Sequence, residues 1–213
     1  MADDLARRLR GTDVLQWPDP VRALAWQMPW ISLPLALDPE GGPPRLDAEC
    51  PDAAPADLFP KIALKSWQEE GRLRLIPGEQ PLPPAVAARL STPTGRQVMV
   101  LEAWRDASTP PYLHLFESRD MSTVSELRCR WVGDRRVAST ICHRNRAGVR
   151  ADILDRAEDT VRSAMGAMGD VTMQFAVGRD GRPWILDVNP VLTPADLESL
   201  SRIPANTGPR EMH

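Results

Sequence analysis

Residues 171–190 read VTMQFAVGRDGRPWILDVNP, and the fold class turns on this stretch. Asp180-Gly181 is a strong two-residue hairpin signal, because a tight turn that matches strand twist needs φ > 0 at its centre. Counting outward pairs Gly178 with Pro183, Val177 with Trp184, Ala176 with Ile185, Phe175 with Leu186 and Gln174 with Asp187. Antiparallel pairs alternate between hydrogen-bonded and non-bonded. Pro183, which has no N–H, falls on a non-bonded pair and breaks no ladder bond. One face of this hairpin is then apolar, with Met173, Phe175 and Val177 against Trp184, Leu186 and Val188. The other face sets Gln174 opposite Asp187, with Asn189 two residues further along. Mg²⁺ takes hard oxygen ligands, commonly one or two carboxylates completed by substrate phosphates. A polar outer face is also the ordinary state of a half-buried hairpin, so spacing alone leaves both readings open.

A second alternating stretch, SELRCRWVGDRRVASTICHR, covers residues 125–144. A three-residue loop, 133–135, pairs Trp131 with Val137, Cys129 with Ser139 and Leu127 with Ile141. A two-residue loop would oppose Trp131 to Arg136, so the pattern favours the longer one. Glu126 and Arg128 then share the polar face, where an intra-face pair is the plain reading. Arginine forks also match phosphate oxygens. Between the two hairpins, residues 151–168 carry an apolar stripe of helical period (Ile153, Leu154, Ala157, Val161, Ala164, Met168) that stops at Gly169.

The remaining elements are shorter. Helices are expected at 2–10, 21–28 and 194–203, with one more between the Pro-rich breaks of 77–95. Strands are expected at 14–17, 58–64, 72–76 and 97–104 (QVMVLEAW), while HLFES at 114–118 is ambiguous. The segment 29–55 is rich in Pro, Gly and Asp and reads as a linker or flap. The expected organisation is α+β with antiparallel sheets and flanking helices. A small N-terminal lobe and linker would span 1–57, the main domain 58–205 and a tail 206–213.

The 213 residues carry a net charge of −3, 42% apolar residues and 26% charged residues. That content supports a packed core and excludes disorder throughout. The charge argues against a dedicated nucleic-acid binder. No apolar run approaches the ~20 residues of a bilayer span, and MADDLARRLRG has acidic residues where a leader wants basic ones. A cytoplasmic protein without nucleic-acid or membrane partners is expected. Three cysteines, Cys50, Cys129 and Cys142, have no metal spacing. Basic residues are spelled unevenly: 24 of 26 are arginine, and the two lysines, Lys61 and Lys65, lie four residues apart. A GC-rich genome would account for the arginines. The clustering fits either chance or a segment that needs a compact ammonium on a flexible stem.

Four motifs in this order, Phe59-Pro60-Lys61, VMVLEAW at 98–104, SELRCRWVGDRRVAS at 125–139 and QFAVGRDGRPWILDVNP at 174–190, resemble the ATP-grasp superfamily. Within it the chain looks most like the cell division cycle protein 123 family and small bacterial and phage relatives. The resemblance covers residues 58–200. It implies an ATP–Mg²⁺ site with Lys61, and Lys65 as a second lysine, on the phosphates. It implies a hinge over adenine at 98–104, involving Leu101, Glu102 and Trp104. Arg128 would reach the terminal phosphate and, with Lys61, serve the chemistry. Gln174, Asp187 and Asn189 would hold Mg²⁺, with Gln174 standing where the family usually has an acid. A glycine-rich phosphate loop is missing after Lys65. The implied reaction joins a carboxylate to an amine through an acylphosphate. The alternatives are a nucleotide-dependent assembly factor acting on a protein client, or a degenerate fold used for interaction.

Overall fold

The computed structural model describes residues 3–52, 57–63, 65–66, 75–76, 78, 81–121, 124–133, 135–145, 170–178 and 180–201. The expected helix at 151–168, most of the expected strand at 72–76 and the tail lie outside the described residues. Those described form an α+β fold with two antiparallel sheets. The first sheet has the order β2-β1-β5-β3-β4, built from β1 (Ile31–Ala36), β2 (Arg45–Leu46), β3 (Leu58–Ile62), β4 (Lys65–Ser66) and β5 (Tyr112–Glu117). The second has the order β7-β6-β8-β9, from β6 (Ser125–Val132), β7 (Arg135–Asn145), β8 (Val171–Val177) and β9 (Pro183–Pro190). Helices α1 (Asp3–Arg10), α2 (Asp19–Arg22), α3 (Leu82–Leu90), α4 (Gly95–Glu102) and α5 (Pro194–Ser201) flank them. None of the described helices is long and apolar enough to cross a membrane.

Alternation assigns the faces. In the first sheet, Leu58 and Ile62, Leu113 and Leu115, and Leu33 and Leu35 are buried with Val86 and Leu90 of α3. The opposite face carries Phe59 and Lys61 of β3, His114 and Phe116 of β5 and Ser32 of β1; the register pairs Lys61 and Ser32 with His114. In the second sheet, Leu127, Cys129, Trp131, Met173, Phe175, Ile185 and Val188 form one apolar face, covered by Val14, Trp17 and Val21. Its other face is the polar one.

Both hairpins of this sheet depart from the expected turn and then recover the expected register. The β8–β9 loop has five residues, 178–182, because Val177 pairs with Pro183. Gly181 takes φ +74°, and its N–H bonds Gly178 at 3.0 Å. A bulge at Leu186 then absorbs the one-residue slip, so that Gln174 faces Asp187 after all. Between loop and bulge the faces are exchanged: Ile185 rather than Leu186 enters the core, and Trp184 lies outside it against Trp26, with Arg182 stacked 4.0 Å above its ring. In β6–β7 the loop is the two-residue one, with Gly133 at φ +57° and Trp131 opposite Arg136. A shift between Arg130 and Trp131 leaves Val137 as the extra residue, half exposed, and restores Cys129 to Ser139 and Leu127 to Ile141.

Four further expectations change. The helix expected at 21–28 is a single turn, Asp19–Arg22, and the segment 29–55, expected as a linker or flap, supplies β1 and β2. Residues 97–104 are not a strand: α4 runs from Gly95 to Glu102, opened by a capping box between Thr94 and Gln97. Residues 14–17 form a 3-10 turn, Val14–Gln16, rather than a strand. The boundary expected at residue 57 is crossed by backbone pairing, since β1 pairs with β5 along four residues. Before β1 the chain also lies beside β9: Trp26 N–H bonds the Ile185 carbonyl at 2.8 Å, and Ile185 N–H bonds Leu24 at 2.7 Å. The N-terminal residues thus join the two sheets.

Candidate functional site

The polar face of the second sheet follows from strict alternation. Glu126, Arg128 and Arg130 point away from the side that buries Leu127, Cys129 and Trp131. Pairing sets Arg128 beside Gln174 and Gln174 beside Asp187, so one row runs across three strands. Asn189 is opposite Thr172 on the same face. The β8–β9 bulge is what brings Asp187 onto this row, because the register of the loop end would send it the other way.

Hydrogen bonds tie these groups together. Asn189 Nδ2 donates to Asp187 Oδ2 at 2.9 Å. Gln174 Nε2 donates to Glu126 Oε2 at 2.8 Å. Lys65 Nζ donates to Asn189 Oδ1. Asp187 Oδ1 is buried with no hydrogen-bond partner, an expensive state for a carboxylate oxygen. An unpaired buried acceptor of this kind suits an incoming donor or cation.

The lysines come from the other sheet. Ile62 pairs with Lys65 across a two-residue turn in which Ala63 holds φ +49°, a left-handed conformation that costs a non-glycine residue about 1–2 kcal/mol. The buried Gln97 side chain donates to the Lys65 carbonyl at 3.0 Å, so α4 anchors this corner. Lys61 Nζ lies 5.3 Å from the ring centres of both Phe59 and Phe116. Burial pushes its ammonium below the usual lysine value; Asp187 counters this, Lys65 adds to it, and Glu126 again counters it. Both lysines of an otherwise arginine-based chain therefore converge on one cluster of acids and amides.

Of the residues singled out in the sequence, Lys61, Lys65, Gln174, Asp187 and Asn189 are brought together. Arg128 is on the same face, exposed, one pair from Gln174. Leu101, Glu102 and Trp104 are placed otherwise than the hinge expectation requires. Their segment is helical, so it lacks the extended backbone of a base-binding hinge. Leu101 is packed against the first sheet, Trp104 is buried with Leu5 and Leu9, and Glu102 pairs with Arg105 at 2.5 Å. The crossing from the first sheet to the second is made by 118–124, after the ambiguous HLFES segment, which is a strand. Sequence reasoning missed the place of Glu126 in the cluster. It assigned Glu126 to Arg128, whereas the carboxylate bonds Gln174 on the neighbouring strand. Strand order was the missing information, because β6 and β8 are adjacent without being consecutive in sequence. Among the described residues no three His, Cys, Asp or Glu side chains group as a self-sufficient metal site.

No family model matches the sequence, and no curated protein matches it. Solved structures do. Cdc123 from Schizosaccharomyces pombe superposes with a TM-score of 0.61 at 14% identity, covering 91% of this chain and 92% of that one. A C-terminally truncated form of the same protein gives a TM-score of 0.57 at 14% identity with the same coverage. The chain therefore has a Cdc123-like fold.

Proposed function

We propose that the cluster between the sheets binds ATP with Mg²⁺, in the manner of an ATP-grasp protein, and that the chain ligates a carboxylate to an amine through an acylphosphate. The observation that carries this reading is the convergence of Lys61 and Lys65 on Asp187 and Asn189. The residues fit the group: the orphaned Asp187 Oδ1 offers a hard oxygen to a cation, and two ammoniums on flexible stems suit a polyphosphate. Asp187, Asn189 and Gln174 would hold the metal, which supplies charge neutralisation on the phosphates when bound. Asn189 Oδ1 accepts from Lys65, an ammonium that a phosphate oxygen would compete for, which would free the amide oxygen for the metal.

Lys61, 5.3 Å from the ring centres of Phe59 and Phe116, would present an ammonium that needs little reorganisation. Arg128 stands at the exposed end of the row, where its fork would suit the oxygens of the outermost phosphate. Phosphoryl transfer asks of the protein mainly positioning and neutralisation of charge, and these residues supply both. A direct test measures ADP formation across sets of acids and amines. ADP that appears only when both acceptors are present supports ligation. Slow turnover indifferent to every acceptor supports the second reading, an assembly factor that binds nucleotide, which the Cdc123-like fold also favours.

A further inference from the structure

We infer that Glu126 supplies the negative charge that Gln174 lacks, so that the second acidic group of the site stands on β6 instead of β8. This rests on the nucleotide reading above and assigns a further residue to it. Gln174 occupies the middle of the polar row, between Arg128 and Asp187. An amide there provides an oxygen but no charge. With Asp187 as the sole acid, two lysine ammoniums would leave the cluster net positive and hostile to a divalent cation. Glu126 brings two acids against the two ammoniums, while the Arg128 guanidinium, beside Gln174 in the row, is exposed to solvent.

Its placement is specific. The Glu126 carboxylate accepts from Gln174 Nε2 at 2.8 Å, and its charge is felt at Lys61 along with that of Asp187. An amide that donates through nitrogen to one side turns its oxygen to the other, so Glu126 also orients Gln174 Oε1. The carboxylate thus does two things: it offsets the lysines, and it fixes which end of the amide faces the cation. Groups that orient metal ligands commonly contribute 10–100-fold to metal affinity.

The test is a charge exchange between adjacent strands. Mn²⁺ affinity in the presence of saturating ATP is read by electron paramagnetic resonance, and metal-free ATP affinity by calorimetry in chelator. Glu126→Gln should weaken Mn²⁺ about tenfold while leaving metal-free ATP binding equal or tighter, because a negative charge near the phosphates is gone. A merely structural loss would weaken both. The double variant Glu126→Gln with Gln174→Glu should recover Mn²⁺ binding, since it returns the acid one strand away. Unchanged Mn²⁺ affinity in Glu126→Gln, or no recovery in the exchange, overturns the inference while the nucleotide reading stands. If the parent chain binds neither ATP nor Mn²⁺–ATP, the nucleotide reading itself fails and this inference with it.

Discussion

Lys61 is the residue whose environment has the clearest chemical consequence. Its ammonium is buried and its pKa is lowered, chiefly by desolvation. A lysine that binds its proton less tightly folded than unfolded opposes folding while charged. Stability therefore rises with pH between the lowered value and the ordinary one near 10.4. Phosphate binding runs the opposite way, because it needs the charged form. ATP affinity should fall as pH climbs through the lowered value, before an ordinary lysine would titrate. Lys61→Arg keeps its charge across that range. It should bind ATP more weakly at neutral pH, since a longer, planar fork displaces the compact ammonium that sits 5.3 Å from the ring centres of Phe59 and Phe116, yet show a flat pH profile. Calorimetric titrations at several pH values check both parts; a parent profile as flat as the variant's removes Lys61 from the phosphates.

At the scale of elements, α4 and the two bulged hairpins show what the sequence could tell. Residues 97–104 hold Val98 and Val100, and β-branched residues at alternate positions read as strand. The helical signal was also present: Gln97, Val100, Leu101 and Trp104 follow the i, i+3, i+4, i+7 spacing, and all four are buried. Thr94 and Gln97 close the capping box ahead of it, with Thr94 N–H donating to Gln97 Oε1 at 2.8 Å. Thr94→Ala should cost about 1 kcal/mol, read as a lower midpoint in urea. It should also weaken ATP binding, because Gln97 anchors Lys65; a variant with parental stability would show the cap to be idle. The Gln174–Asp187 pairing was legible from the strand pattern, although the turn between them was not. Hydrophobic alternation over a whole strand constrains register more strongly than a dipeptide turn preference, and a bulge reconciles the two at the expense of one ladder pair. The position of Glu126 was not legible, because it depends on which strands are neighbours.

Across the whole molecule, long-range polar links hold the N-terminal segment to the sheets. His114, fully buried at the centre of the first sheet, bonds Asp13 through Nε2 at 2.9 Å and Ser32 Oγ through Nδ1 at 2.8 Å. Removing the acid leaves a buried ring nitrogen unpaired, so Asp13→Ala should destabilise the fold by about 1–3 kcal/mol in denaturant titration. A second link joins the first helix to the last: Arg8 grips both oxygens of Asp196 at 2.8 Å and the Val191 carbonyl at 2.8 Å. The Arg8 guanidinium, with the Thr193 amide, holds the Asp196 carboxyl below its usual value. This contribution is complete above the unfolded value near 3.9 and is lost as pH falls through the lowered one. Arg8→Ala should therefore flatten the acid limb of the stability curve, and an unaltered limb would place the acid sensitivity elsewhere. These links matter to the site because residues 24–26 lie against β9, which carries Asp187 and Asn189. Whether that strand, facing the two lysines, takes a metal-bound nucleotide decides every role assigned to these residues. Titrating Mg²⁺–ATP into the chain and into Asp187→Ala by calorimetry is the most direct measurement. One saturable site per chain, weakened at least about tenfold in the variant, is the expected result. No heat and no thermal shift at millimolar nucleotide, or equal binding by the two proteins, would contradict it.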